Sequence, residues 1–269
     1  MIKLIVSDLD GTLLDHSRQI AGRDVDAVSM ARSAGFEFCI ASGRMYSEIR
    51  ILMEPFGDRF HAVGQNGATV HTKDDRLLAA SSFEPDVSSR LLQESRSCGH
   101  FVNFIHCTDD SFYLKERNDT TRPYEDRILK TCSVHSDLEA ALREDELRCS
   151  KISYFGELEQ LQQWKSELLD RFAGQIDSYI SDKDCLDVMP LNVSKGTGLL
   201  RLIESLGLRP DEVACIGDSF NDLSMFALTR HSFAMSGSHP DVRSKAGSVV
   251  HSVADAIDRI MTYNHSLAG

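Results

Sequence analysis

Two carboxylates separated by a single residue follow the first apolar run of the chain. Asp8 and Asp10 belong to the string DLDGTL over residues 8–13, which comes directly after the run IKLIVS. If that run is a strand of a parallel sheet, the string lies at the carboxyl edge, where open α/β sheets bind their ligands. Gly11 permits an unusual backbone angle, and Thr12 offers a hydroxyl to an anion. These carboxylates could line a ligand site, although two aspartates can also simply end a strand.

A second acidic pair follows another apolar run. The string GDSFND over residues 217–222 comes after VACI and places Asp218 at a strand end and Asp222 near the positive end of the next helix. At one sheet edge this pair would converge with Asp8 and Asp10. Four close carboxylates repel one another unless a divalent cation lies among them, and oxygen ligands suit Mg²⁺. The alternative is that Asp218 and Asp222 only cap a helix.

Two further segments could bind an anion. Ser42, Gly43 and Arg44 follow a predicted strand, and a hydroxyl with glycine-framed backbone amides at a helix start forms an anion cradle. Lys195 opens another predicted helix, where its charge opposes the helix dipole and suggests a specific partner. The plainer interpretations are an ordinary N-cap at Ser42 and a solvated lysine at 195.

The elements that would position these residues alternate between strand and helix, which predicts a doubly wound parallel sheet resembling a Rossmann fold. The strands are predicted over residues 2–7, 36–41, 61–64, 212–217 and 232–235. The helices are predicted from about 20 to 35 and over residues 46–56, 194–206, 219–229 and 252–262. A hairpin is predicted from strands at 68–72 and 77–80.

A different pattern interrupts this alternation. Helices are predicted over 84–98 and 157–172, with strands over 101–106, 111–115, 149–155, 175–181 and 184–188. Strands paired by short turns with helices between them indicate an inserted α+β domain. The predicted division is a core over 1–82 and 189–269, and an insertion over 83–188.

Composition narrows the possible partners. The formal net charge of the 269 residues is −12, with no run of Lys and Arg, which disfavours a nucleic-acid partner. The seven cysteines contain no CxxC, which indicates neither a disulfide framework nor a zinc site. No apolar run approaches the roughly 18 residues that a membrane span needs. We expect a cytoplasmic protein with no membrane partner.

Taken together and in this order, the four segments resemble the motifs of the haloacid dehalogenase superfamily of phosphohydrolases. The closer resemblance is to its Cof-type branch, which has a type IIB α/β cap. VGQNGA over 63–68 and MPLNVSKG over 189–196 look like segments of that branch. The chain departs from the branch at Asn192, where glycine is common, and at SGS over 236–238, where Gly-Asn-Ala is common.

The resemblance implies a Mg²⁺-dependent phosphomonoester hydrolase. Asp8 would be the nucleophile that forms an aspartyl-phosphate, and Asp10 the general acid and base, with a raised pKa that crowding by other acids could supply. The implied magnesium ligands are Asp8, the backbone carbonyl of Asp10 and Asp218, with Asp222 supporting the metal shell. The implied phosphate-binding groups are Thr12, Ser42, Gly43, Arg44, Asn221 and the catalytic Lys195. Arg44 could equally form a structural ion pair.

Two other functions remain open at this point. A phosphomutase would use the same intermediate and return the phosphoryl group to the substrate. A phosphate-binding sensor would hold the phosphoryl group as a signal, although a general base at Asp10 argues against a long-lived phosphoaspartate. Analogy with the family favours sugar phosphates or similar small phosphomonoesters as substrates, bound by a monomer or a small homo-oligomer.

Overall fold

The computed structural model describes residues 1–15, 17–57, 59–98 and 101–268. The chain divides into two compact units, one formed by Met1–Ala79 and Ser194–Gly269 and the other by Ala80–Val193. We call them the core unit and the inserted unit. Their boundaries differ by a few residues from the division drawn at 82 and 188, because the last strand of the inserted unit continues to Pro190.

The described strands are numbered in chain order. They are β1 (Leu4–Ser7), β2 (Glu37–Ala41), β3 (His61–Gly64), β4 (Thr69–His71), β5 (Leu77–Ala80), β6 (Val102–Cys107), β7 (Phe112–Leu114), β8 (Ser133–Val134), β9 (Cys149–Phe155), β10 (Ile176–Asp182), β11 (Cys185–Pro190), β12 (Val213–Gly217), β13 (Ser232–Met235) and β14 (Ser248–Val250).

The described helices are α1 (Gly22–Ser33), α2 (Tyr46–Leu52), α3 (Pro85–Cys98), α4 (Arg122–Glu125), α5 (Leu138–Arg143), α6 (Leu158–Arg171), α7 (Lys195–Ser205), α8 (Leu223–Phe226), α9 (Pro240–Lys245) and α10 (Val253–Ala268). Short 3₁₀ turns lie at Glu54–Phe56, Gln65–Gly67, Pro210–Glu212 and Phe220–Asp222. In the described part of the chain, none of the helices combines the length and the apolar character that crossing a bilayer requires.

The core sheet has the strand order β14-β13-β12-β1-β2-β3-β4-β5. Its first six strands in this order are parallel, and β4 turns back antiparallel to β3. The central strand β1 is buried over its whole length, as expected for an apolar, β-branched run covered on both faces. The carboxyl ends of β1, β2 and β12 therefore lie side by side at one edge.

Helices cover both faces of this sheet. Ile5 and Ile40 face a hydrophobic cluster that includes Ile257 of α10, whereas Val6 and Cys39 face a second cluster that includes Leu199 of α7. The two sets alternate along the strands because successive side chains point to opposite faces. This arrangement is the predicted Rossmann-like doubly wound α/β core, and the prediction is confirmed.

The inserted unit is built on its own sheet, with the strand order β10-β11-β9-β6-β7-β8. β6, β9, β10 and β11 pair antiparallel, and one face packs against α3 and α6. Trp164 and Leu168 of α6 are buried there with Ile152 of β9. The inserted unit is thus the α+β module that the sequence predicts.

The predicted helix over 219–229 is wrong in its extent. Residues Phe220–Asp222 form a 3₁₀ turn, and α8 spans only Leu223–Phe226. The Asp222 carboxylate accepts hydrogen bonds from the backbone N–H groups of Asp218 and Ser219, at 2.8 and 2.9 Å, which tightens this turn. Five short elements with weak periodicity are not predicted from the sequence, namely α4, α5, α9, β8 and β14.

Candidate active site

The two acidic segments, residues 8–13 and 217–222, meet where β1 and β12 end. The Asp8 backbone N–H donates to the Ile216 carbonyl at 2.8 Å, so the strand pairing continues into the loop after β1. Gly11 has a φ of +82°, and a Cβ atom there would lie 2.6 Å from Asp218 Oδ2. Glycine is therefore required at position 11 both by the backbone conformation and by the close approach of Asp218.

Lys195 lies at the centre of the site, and its side chain is only 1% exposed. Its Nζ donates to Asp8 Oδ1 at 2.6 Å and to Asp222 Oδ1 at 2.7 Å. The plain interpretation of a solvated lysine at this helix start is therefore wrong. A buried ammonium needs such partners, because an unpaired charge away from water is costly.

The start of α7 is fixed tightly, which fixes Lys195. The Ser194 side chain accepts from the Thr197 backbone N–H at 3.2 Å as the N-cap. Gly67 has a φ of +102°, and a Cβ atom on it would overlap the carbonyl of Ser194. The Gly196 backbone N–H donates to Ser224 Oγ at 3.0 Å. The first turn of α7 thus packs against two backbone segments that allow it little freedom.

Three carboxylates gather around this lysine. Asp8, Asp218 and Asp222 each offer an oxygen within 4.8 Å of the other two. One ammonium against three ionised carboxylates leaves two negative charges, which is the charge that a divalent cation neutralises. Thr12 Oγ1 donates to Asp218 Oδ1 at 3.1 Å, so that hydroxyl orients one of the three acids.

The electrostatics of the cluster follow from this crowding. Burial raises the pKa of the Asp8 carboxyl well above its usual value, and the charges of Asp222 and Asp218 add to the rise while Lys195 opposes it. Burial and Asp222 also raise the pKa of Asp218. Burial disfavours the charged form of Lys195, yet the charges of Asp222 and Asp8 outweigh it and raise the lysine pKa. A second cation would favour ionised Asp8.

These residues fit a magnesium ion by their chemistry. The donors are carboxylate oxygens, which Mg²⁺ prefers. Both oxygens of Asp222 already accept hydrogen bonds, one from Lys195 and the other from two backbone N–H groups. Asp8 and Asp218 are therefore the side chains best placed to hold the ion, and Asp222 to support them.

The predicted anion cradle, residues 42–44, follows the end of β2 at the same edge of the sheet as the three carboxylates. Ser42 is buried, and its Oγ accepts from the Arg44 backbone N–H at 3.2 Å. A Cβ atom at Gly43 would lie 3.2 Å from Asn66 Oδ1. That same Oδ1 accepts from Asn221 Nδ2 at 3.2 Å. Asn66 is a site residue that was not predicted, although its segment VGQNGA over 63–68 was the available signal.

Asp10 departs from the expected convergence of four carboxylates. Its carboxylate forms a bidentate ion pair with Arg44, with Nε to Oδ2 at 2.7 Å and Nη2 to Oδ1 at 2.8 Å. The Asp10 side chain is 48% exposed. The acid that other carboxylates crowd is Asp8, so the crowding expected at Asp10 is found two residues earlier in the chain.

Glu48 is a second residue beside the site that was not predicted from the sequence. Its side chain is 5% exposed and lies 3.1 Å from Arg44 Nη1. Its other oxygen accepts from the Met45 backbone N–H at 3.1 Å and so caps the start of α2. An acidic residue three positions after the N-cap is a helix-start pattern, which was the signal available in the sequence.

Comparison with known proteins shows the family and the relatives to which the chain is similar. The haloacid dehalogenase-like hydrolase family matches residues 5–259. The HMP-PP phosphatase of Serratia proteamaculans is 26% identical, over 91% of this chain and 87% of that protein. The 5-amino-6-(5-phospho-D-ribitylamino)uracil phosphatase of Bacillus subtilis is 24% identical, over 97% of this chain and 99% of that protein.

Solved structures have the same fold. A haloacid dehalogenase-like hydrolase from Bacteroides thetaiotaomicron superposes with a TM-score of 0.84 at 24% identity, covering 97% of this chain and 100% of that chain. Family match and named relatives agree with the resemblance drawn from the four motifs. The chain belongs to the haloacid dehalogenase-like hydrolases, as a phosphatase of the Cof type.

Proposed function

We propose that this phosphatase hydrolyses small phosphomonoesters with Mg²⁺ and through a phosphorylated Asp8. The observation that carries the proposal is Lys195, buried and hydrogen-bonded to both Asp8 and Asp222. The ammonium opposes the effect of burial and so favours the carboxylate form of Asp8 that a nucleophile needs. No purely structural role requires a lysine to be held among three acids at the carboxyl edge of the sheet.

In the first step an oxygen of Asp8 attacks phosphorus, and a P–O bond forms as the ester P–O bond breaks. The electron pair of the broken bond leaves with the substrate oxygen, which takes a proton from Asp10. In the second step water attacks phosphorus and gives its proton to Asp10. The Asp8 carboxylate is released together with inorganic phosphate, and the site returns to its starting state.

The remaining groups bind charge. We propose that Ser42 Oγ, the Gly43 amide, Thr12 and Lys195 hold the phosphoryl oxygens on which charge develops in the transition state. We propose Asp8, the Asp10 carbonyl and Asp218 as the oxygen ligands for Mg²⁺, with Asp222 supporting them. When bound, the ion supplies positive charge that lessens the repulsion between Asp8 and the incoming phosphate.

The substrates we propose are small phosphorylated metabolites, with sugar phosphates first. Two relatives are named for phosphorylated small molecules, which supports the class. The net charge of −12 disfavours nucleic acid as a partner. Six buried cysteines form no disulfide with one another, which supports a cytoplasmic location: Cys39, Cys107, Cys132, Cys149, Cys185 and Cys215.

The experiment that tests this function is phosphate release from p-nitrophenyl phosphate and from a panel of phosphorylated metabolites, with Mg²⁺ and with EDTA. The panel should include hexose phosphates and the ribitylaminouracil phosphate. We expect metal-dependent release from several esters by the native chain and none from the Asp8→Asn variant. Isomerised product without free phosphate would indicate a mutase. A long-lived phosphoaspartate with slow turnover of every ester would indicate a sensor.

A further inference from the structure

Arg44 contacts two acids that differ in how firmly they are held. Its Nε and Nη2 bind both oxygens of Asp10, and its Nη1 lies 3.1 Å from Glu48 Oε1. The Arg44 side chain is only 14% exposed. Glu48 is buried, whereas about half of the Asp10 side chain is exposed. Asp10 is therefore the partner that can leave, and Glu48 is the one that stays.

Glu48 is held by the helix that it begins. Its Oε2 accepts from the Met45 backbone N–H at 3.1 Å, which satisfies a donor at the open N-terminus of α2. A carboxylate at that end of a helix is also favoured by the helix dipole. One oxygen of Glu48 thus anchors the helix start and the other anchors the Arg44 guanidinium.

The Arg44–Asp10 pair has a chemical consequence, which rests on the proposed function. Asp10 has to present an oxygen to the leaving group of the substrate. In this structure both of its oxygens accept hydrogen bonds from Arg44. Because a bidentate guanidinium pair occupies both carboxylate oxygens and stabilises the anion, Asp10 can take up from solvent the proton that it donates to the leaving oxygen only after Arg44 has released it.

The other group that matches the Arg44 donors is the phosphoryl group itself. A guanidinium presents parallel N–H donors that fit two phosphate oxygens as well as they fit a carboxylate. Arg44 also follows Ser42 and Gly43 directly, and its own backbone N–H donates to Ser42 Oγ. A phosphoryl group bound at Ser42 and Gly43 would therefore lie next to the residue that carries the guanidinium.

We propose that Arg44 changes partners on substrate binding. It pairs with Asp10 in the empty site and with the phosphoryl group in the loaded site, and this exchange frees Asp10 for the leaving oxygen. Glu48 is a positioning residue that anchors the guanidinium in both states. A dianionic monoester competes with the Asp10 carboxylate for Arg44 better than a monoanionic diester does, so the exchange also selects phosphomonoesters.

A comparison of two substrates distinguishes the proposed partner exchange of Arg44 from a purely structural role. The p-nitrophenolate leaving group needs little protonation, whereas the alkoxide of a hexose phosphate depends on the general acid. Arg44→Lys keeps the charge but loses the paired donors. We expect it to raise KM about tenfold for both esters and to lower kcat at least tenfold more for the hexose phosphate than for p-nitrophenyl phosphate. Glu48→Gln should show the same difference between the two kcat losses, but a smaller one. Glu54→Gln changes an exposed glutamate and should lower kcat for neither ester.

The direct test is a crystal structure of the native protein with Mg²⁺ and orthovanadate. We expect Arg44 Nε or Nη2 on a vanadate oxygen and the Asp10 carboxylate released from Arg44. If both hydrogen bonds between Arg44 and Asp10 persist in that complex, or if Arg44→Lys lowers kcat equally for both esters, the exchange is wrong. The native chain's turnover of p-nitrophenyl phosphate is a separate readout, so failure of the exchange is distinguishable from failure of the proposed function.

Discussion

Lys195 Nζ lies 2.6 Å from Asp8 Oδ1, and the residues are 187 positions apart in the sequence. The pair joins the loop after β1 to the first turn of α7. Lys195 Nζ also donates to Asp222 Oδ1 at 2.7 Å. Breaking such a buried pair by removing one partner costs far more than removing both, because the remaining charges lose their compensation. The lysine therefore supports both the charge balance of the site and the stability of the core unit.

Replacing Lys195 by methionine should damage stability and activity together. We expect phosphate release to fall at least about a hundredfold, since we propose that Lys195 stabilises the transferring charge. We also expect unfolding in EDTA to become easier by about 3 kcal/mol or more, because three acids remain buried together. Chemical denaturation and p-nitrophenyl phosphate turnover measure the two effects.

The matched control for this variant is Lys3→Met. Lys3 pairs with Glu212 in the same unit, but its side chain is 58% exposed, so its loss should cost under about 1 kcal/mol and leave turnover unchanged. Equal stability losses in the two variants would contradict the central role of Lys195. A partial recovery of the Lys195→Met stability on adding Mg²⁺ would support the charge argument further.

Magnesium should stabilise the core unit by an amount that grows with the logarithm of its concentration above Kd. A ligand at 100 times its Kd adds about 2.7 kcal/mol, which for a unit of this size raises Tm by roughly 5 to 10 °C. Differential scanning calorimetry with Mg²⁺ and with EDTA measures this shift. Asp218→Asn should remove most of it, because Asp218 is one of the two acids best placed to hold the ion.

The control for the magnesium shift is Asp241→Asn, at an aspartate whose side chain is 77% exposed. It should keep the full Tm rise. A native chain whose Tm does not respond to Mg²⁺, or an Asp218→Asn variant that responds like the native chain, would show that the ion does not bind among these acids.

The sequence predicts most of the core unit because three of the four motif segments follow a buried strand. The strands β1, β2 and β12 are apolar runs with β-branched residues, and parallel pairing then brings their carboxyl ends to one edge. That is enough to predict the meeting of Asp8 with Asp218 and Asp222. Propensity could not predict the turn at Phe220–Asp222, because side-chain hydrogen bonds to the backbone compete there with a continuous helix.

The orientation of Asp10 lies beyond sequence reasoning for a different reason. Nothing in the spacing between Asp10 and Arg44 shows that the guanidinium would take both carboxylate oxygens. That contact depends on where α2 begins relative to β1, and Glu48 helps to determine this through the Met45 N–H. Local patterns predict a cap at the start of α2 but not which distant group the capping residue will also hold.

Acid should destabilise the inserted unit through His106. Burial lowers the pKa of His106 well below its usual value, and the charge of Lys151 lowers it further. His106 Nε2 contacts Ser153 Oγ at 3.1 Å, and that hydroxyl donates to Asp187 at 2.6 Å. Because the unfolded chain binds a proton near pH 6.5 and the folded chain does not, stability is complete above about pH 6.5 and falls below it.

The loss should amount to at most about 1.4 kcal/mol per pH unit, or about 2 kcal/mol at pH 5. Denaturant titrations between pH 5 and 8 measure it. A His106→Gln variant, which keeps a donor toward Ser153, should lose this part of the pH dependence even if it is less stable overall. His265→Gln, at an exposed histidine, should keep the native profile. A native-like acid sensitivity in His106→Gln would assign the titration to another group.

Alanine substitutions at two glycines with left-handed backbone can distinguish the effect of backbone strain from that of steric overlap. Gly35 has a φ of +92° and Gly67 a φ of +102°, so alanine is strained at both positions, by about 1 kcal/mol or more. Among the described residues, no atom outside Gly35 and its two chain neighbours lies within 4 Å of a Cβ placed on Gly35. A Cβ on Gly67 would overlap the Ser194 carbonyl at the start of α7.

We therefore expect both alanine variants to unfold more easily, Gly67→Ala the more so, and only Gly67→Ala to lose activity. The alanine methyl group has to push Ser194 away, and Lys195 moves with it. A displacement of about 1 Å at a catalytic group can cost about a hundredfold in rate. Thermal unfolding and p-nitrophenyl phosphate turnover of the two variants provide the comparison. Equal activities in Gly35→Ala and Gly67→Ala would show that the position of Lys195 does not depend on its packing against Gly67.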